Sequence, residues 1–281
     1  MSEPDTGGAG TFPTKDIVLG SFSLPFGHFG LFLRSAWLSL GAFVVASMLV
    51  STMMSPPPVP PPGNEMADLI LYLTAVGGFF EVLAFEILTL LVLLPAITVW
   101  IRLTVYGPPE DGRFPLLSLG EAELQYLFAY IVVVVFSLAA MIGVLIASTL
   151  TVSVLAAVIG AASGGTFLQL ASVVGSVLGL AAFIYVSARF VPALGATALG
   201  QPFAIRAGWD ETKAQARPLF WSLVSFGGTL MLVQLALSLG FAMLLPSGVA
   251  PLGGLIKALI QALGIMLACV YVGRVYAYFR T

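Results

Sequence analysis

The chain has 281 residues, of which 59% are apolar and 9% charged, with a formal net charge of -2 and a mean hydropathy of +1.05. A water-soluble domain needs a far more charged surface, so lipid is the solvent for most of this sequence. With no basic cluster in an acidic chain, nucleic acid is not an expected partner.

Six crossings at roughly 20 residues each use about 120 residues, and the apolar tracts exceed that. The expectation is an all-α, polytopic helical bundle of six transmembrane helices with short amphipathic interfacial helices. Residues 1–15 read as a flexible cytoplasmic N-terminus and 16–281 as a single six-span membrane domain. Met1 to Thr11 lacks the basic and apolar regions of a signal peptide, so the first span is expected to act as its own insertion signal.

Asp16 to Gly30, with Pro25 and His28, reads as an interfacial approach that includes a short helix along the membrane. The first span runs about Leu31 to Met53. Ser55 to Gly63 contains six prolines, which a hydrogen-bonded helix does not accommodate, so it is an extended outer loop. The tract from Met66 to Val105 is longer than one crossing. Either it is a single long helix, or a surface helix up to Gly77-Gly78 precedes a span from about Phe79 to Leu103. Trp100, Arg102 and Tyr106 fix its inner end.

Tyr106 to Glu123 is a polar connector in which Ser118 and Glu121 have capping-box spacing. The tract from Leu124 to about Gly160 also exceeds one span, and its remainder is expected to form an outer turn or re-entrant piece. Thr166 to Val191 is the fourth span, ended or kinked by Pro192. Within it, Gly175 and Gly179 have the small-xxx-small spacing of close helix packing. Pro202 fits the first turn of a basic amphipathic helix carrying Arg206, Trp209, Lys213 and Arg217, with its aromatic groups inward and its bases near lipid phosphate. The fifth span follows from about Leu219 to Leu245, an outer turn covers Pro246 to Gly254, and the sixth span covers Leu255 to Tyr276.

With the amino terminus in the cytoplasm, Lys15, Arg34, Arg102, Arg113, Arg189, Arg206, Lys213, Arg217, Arg274 and Arg280 all fall inside. Of the eleven basic residues, Lys257 alone falls outside. This positive-inside bias predicts cytoplasmic amino and carboxyl termini. The first, third and fifth spans each follow a partly apolar approach, a pattern that suggests three helix pairs built alike.

Glu81 and Glu86 are candidates for ligand or ion handling, since a carboxylate in hydrocarbon usually faces a bundle interior, a water path or a basic partner. Five residues apart, they diverge by roughly 140 degrees on a helix, so they do not share one narrow site. Arg102 and Arg189 are their potential partners across the bundle. Arg206, Trp209, Lys213 and Arg217 form the expected lipid-headgroup interface. His28 is the sole histidine, without ligands at metal spacing, and Cys269 reads as a small buried hydrophobe. Neither a metal, nor a cofactor, nor a catalytic constellation is expected.

The run Arg189-Phe190-Val191-Pro192, then Pro202-Phe203-Ala204-Ile205-Arg206-Ala207-Gly208-Trp209 and Phe220-Trp221, resembles a group of uncharacterised bacterial six-helix membrane proteins. They are related to the membrane domain found ahead of some glycerophosphodiester phosphodiesterases. The resemblance implies a bacterial inner-membrane location and no catalytic residues, and the loops here have no room for a phosphodiesterase domain. Three functions compete, in this order: a non-enzymatic structural or accessory protein acting with lipid, envelope or transport machinery, a small transporter or channel using Glu81 and Glu86, and a membrane-embedded enzyme. Membrane lipids, a membrane-protein partner and a second copy of the chain are the partners considered.

Overall fold

The computed structural model describes residues 12–53, 90–109, 119–159, 164–244 and 250–280. All of its regular structure is helical: α1 (Thr14–Gly27), α2 (Phe29–Met53), α3 (Leu90–Tyr106), α4 (Glu121–Ile159), α5 (Gly164–Ala198), α6 (Ile205–Glu211), α7 (Ala216–Leu244) and α8 (Ala250–Arg280). Helices are what lipid demands, because each satisfies its backbone polar groups internally. Among the described residues five helices, α2, α4, α5, α7 and α8, are long and apolar enough to cross a membrane. The expected second span, in the tract from Met66 to Val105, is represented by α3, and the part of that tract that carries Glu81 and Glu86 lies outside the described residues, as does the Pro-rich loop.

α8 is the centre. It packs against α1, α2, α5 and α7 and contributes to both hydrophobic clusters. One gathers Phe32, Phe43, Leu93, Trp100, Tyr126, Phe190, Met266 and Val270. The other gathers Ile17, Val18, Leu219, Phe226, Leu267, Tyr271 and Val275. Small residues let its neighbours approach. A side chain at Gly264 would collide with Gln234 of α7, and one at Gly273 would stand 2.9 Å from Thr104 of α3. Conversely, the Arg274 guanidinium fills the space left by Gly20 on α1. Cys269 is buried within the first cluster.

Two tracts run straighter than the sequence suggests. α4 is continuous over 39 residues, about 58 Å, with no turn or re-entrant break before Ile159. Its hydroxyls at Ser148, Thr149, Thr151 and Ser153 bond to carbonyls of their own helix, so polar side chains do not interrupt it. α5 continues through Pro192 and stops only after Ala198. Its terminator is Gly200, whose φ is 83°. The Gly200 N–H donates to the Thr197 carbonyl and the Gln201 N–H to the Ala196 carbonyl, at 2.9 and 3.0 Å. This is a Schellman closure, and Pro202 follows where no helix continues. The basic helix therefore starts at Ile205 rather than Pro202, and has seven residues.

At the start of α4 the carboxylate that reaches back is Glu123, not Glu121: the Gly120 N–H donates to Glu123 Oε2 at 3.0 Å. Glu121 instead accepts from Gln125 Nε2 at 3.0 Å. Ser118 lies outside the described residues. α1 is the helix expected in the approach to the first span, and a single residue, His28, separates it from α2.

α4 and α5 form an antiparallel hairpin, the most extensive pairing in the bundle. Ser137 and Ser187 hydroxyls meet at 2.9 Å across it. Gly175 and Gly179 line its seam: an added Cβ would stand 2.6 Å from Ser148 Oγ at the first and 3.1 Å from Leu145 Cγ at the second. The small-xxx-small pair thus joins α5 to α4. We expect Gly179→Val to lower the unfolding midpoint in micelles, at a cost of about 1–3 kcal/mol from overpacking. The control is Gly227→Ala on α7, where nothing lies within 4 Å; its midpoint should not fall, since alanine is the better helix former. Equal effects from the two substitutions would contradict the seam.

Candidate functional site

Two polar knots tie the helices together near one end of the bundle. In the first, Glu123 on α4 is buried, and its Oε1 accepts from Thr98 Oγ1 on α3 at 3.0 Å. Arg102 Nη1 lies 3.6 Å from the same oxygen, and Arg102 Nε donates to the Ala198 carbonyl at 2.9 Å. The knot therefore joins α3, α4 and the end of α5. The expected partners of Arg102 were carboxylates of its own tract, yet the acid facing it here comes from α4. Nearby, the Trp100 indole N–H donates to the Phe32 carbonyl at 3.0 Å. Gln201 accepts from Arg280 at 2.6 Å and donates to the Tyr276 hydroxyl at 3.1 Å. These contacts place Arg102 and Arg280 at one end. Lys257 stands about 26 Å along α8 from Arg274, by helical rise.

The second knot is Arg189. Only 3% of this residue is exposed, and no carboxylate pairs with it among the described residues. Its Nε donates to Thr212 Oγ1 at 2.7 Å, its Nη1 to Tyr185 Oη at 3.2 Å, and its Nη2 to the Trp209 carbonyl. The guanidinium also lies over the Trp209 ring, 4.1 Å from the centroid. A fixed planar fork makes these three directions available at once. Thr212 Oγ1 in turn donates to the Gly208 carbonyl at 2.8 Å, so the segment that follows α6 is fastened to both helices. Gly208 permits the close approach, because a Cβ there would sit 3.0 Å from that of Ala193.

Trp209 is half-buried, with its ring 5.7 Å from Phe190 and edge-on to Tyr185 at 6.4 Å. The other members of the expected headgroup interface, Arg206, Lys213 and Arg217, are exposed. Arg206 and Asp210 approach at 3.9 Å, with side chains 97% and 66% exposed, a pair worth little in water. Lys213 follows Thr212, and Arg217 stands in the first turn of α7.

Beside α6 lies an apolar groove of about 470 Å³ between α4 and α5, with Arg206 and Trp209 on its wall. A larger cavity of about 750 Å³ between α1, α2, α3, α7 and α8 has Trp100 as its one lining side chain with a polar atom. That indole N–H is already bonded to Phe32. Among the described residues there is no group of three or more His, Cys, Asp or Glu side chains able to hold a metal ion. No protein family, curated protein or solved structure matches the chain.

Glu123 had no place among the candidate residues. Its signal was the helix start at Gly120, three residues before it, which makes the acid a back-reaching cap. For Glu123→Ala we expect a loss of about 2 kcal/mol in unfolding free energy, since Thr98, Gly120 and Arg102 all lose an acceptor. Glu123→Gln keeps an acceptor oxygen and should lose about half as much. Denaturant titration in micelles measures both, and the reverse order would contradict the knot.

Proposed function

We propose that this chain is a non-enzymatic, multi-pass protein of a bacterial inner membrane, with both termini cytoplasmic, that serves as a structural or accessory component of lipid, envelope or transport machinery. One observation carries the reading. The two buried charged side chains among the described residues, Glu123 and Arg189, are both engaged in bonds that hold helices together. Charged groups that serve a conduction path or a reaction face a cavity or a substrate instead. The exposed apolar surfaces of α4 and α7, including Phe128, Val135, Ile146, Met231 and Leu235, suit contact with lipid, a membrane-protein partner or a second copy.

The location and the orientation draw on the resemblance around Arg189 and Trp209 and on the positive-inside bias. The headgroup role of Arg206, Trp209, Lys213 and Arg217 follows from that orientation. Transport through Glu81 and Glu86 is the competing reading, and both residues lie outside the described segments.

Two measurements test the proposal. In a Cys269→Ala background, Ser2→Cys and Thr281→Cys should resist a membrane-impermeant thiol reagent in spheroplasts, and Gly63→Cys should react. Proteoliposomes of the purified chain should show no more ion leak than empty vesicles. A leak that Glu81→Gln or Glu86→Gln abolishes would establish the transporter instead.

A further inference from the structure

We propose that the groove between α4, α5 and α6 holds one acyl chain of an anionic phospholipid, with the phosphate on Arg206. The inference deepens the proposed headgroup role of α6 and rests on that reading. The groove is apolar along its length, walled by Phe136, Ala139 and Ala140 of α4 and by Val186 and Phe190 of α5. Its volume of about 470 Å³ lies within the range of roughly 300–1,000 Å³ for ligand clefts.

The antiparallel register fixes which way it runs. Ser137 is level with Ser187, so Ala139, Ala140 and Val186 lie on the side leading toward Gly175 and Ser148. Phe190 and α6 lie on the side leading toward Ala198. The groove is about one helical turn deep on each of the two helices and carries a guanidinium beside its α6 end, the polarity of the upper acyl chain and head of a single amphiphile.

The charges around α6 select an anionic head. Arg206 is held by one exposed carboxylate, Asp210, at 3.9 Å, so a phosphate can displace that partner. Behind the Trp209 wall, the buried charge of Arg189 adds to the positive potential. Glu211 faces the other side of α6, where it lines a small cavity with Tyr276 and Arg280. The aromatic wall is preformed, because Trp209 is braced by Arg189, Tyr185 and Phe190. A transmembrane helix of a partner protein would meet the apolar wall and bring no anion to Arg206 beyond its weak, exposed pair with Asp210, so the phospholipid is the better complement.

The experiment is native mass spectrometry of the full chain in detergent, titrated with dioleoyl phosphatidylglycerol, with dioleoylglycerol, or with glycerol phosphate. We expect one phosphatidylglycerol per chain, retained well above the other two probes. Arg206→Gln should weaken it roughly five-fold, the effect of one basic residue at an anionic lipid. Asp210→Asn frees Arg206 and should strengthen it, and Ala139→Trp should block it by filling the groove. Equal retention of dioleoylglycerol would remove the phosphate from the account, and equal binding of glycerol phosphate would remove the acyl chain. Unchanged retention in both Arg206→Gln and Ala139→Trp would overturn the site. Should either variant fail to fold, the three probes and Asp210→Asn on an otherwise unchanged chain still decide. A lipid that fails to bind overturns this inference and leaves the accessory role standing, whereas an Glu81-dependent leak does the reverse.

Discussion

A buried guanidinium with no carboxylate partner among the described residues, Arg189, is the constraint on which the α5–α6 end of the bundle depends. Taking a charge out of water costs several kcal/mol even after relaxation. Arg189 offsets that cost with a hydroxyl, a phenol, a backbone carbonyl and an indole face, drawn from α5 itself, from α6 and from Thr212 after it. Because the acceptors belong to different elements, satisfying the charge also fixes the elements. α6 has seven residues, too few to persist as a free helix in water. It is held because Arg189 binds its far end and Gly208 lets it lie against Ala193.

The same economy recurs around α8. Its neighbours approach where Gly264, Gly273 and Gly20 leave space, and close contact between helices replaces the hydrophobic drive that lipid does not supply. Polar bonds then fix rotation and depth: Tyr271 Oη donates to Ser222 Oγ of α7 at 3.1 Å, and the Arg102–Glu123 knot sets α3 against α4. α4 and α7, although each packs against α5, leave most of their surface uncovered.

Hydropathy made the class legible, and the long apolar tracts marked α2, α4, α5, α7 and α8. Their ends were less so. Pro192 reads as an end or a kink, but a membrane helix whose neighbours cover the disrupted turn carries a proline through. The real stop was written in Gly200 and Pro202. α4 is longer than a hydrocarbon core of about 30 Å requires, but apolar sequence with self-bonded hydroxyls has no local reason to break. The site was legible in part. Arg189 was legible as a potential ion partner and Trp209 as a headgroup residue, yet their stacking depends on α6 folding back over α5. Glu123 was invisible as a partner of Arg102, because the two helices that bring them together are joined by tertiary packing and not by any spacing in sequence.

The most direct measurement of the central claim is hydrogen–deuterium exchange across residues 205–212 in nanodiscs, comparing the unaltered chain with Arg189→Gln. If Arg189 holds α6 in place, the amides of Gly208 and its neighbours are protected in the first. They exchange at close to the rate of an unstructured segment in the second, while α5 stays protected. Undiminished protection of 205–212 in Arg189→Gln would contradict the account.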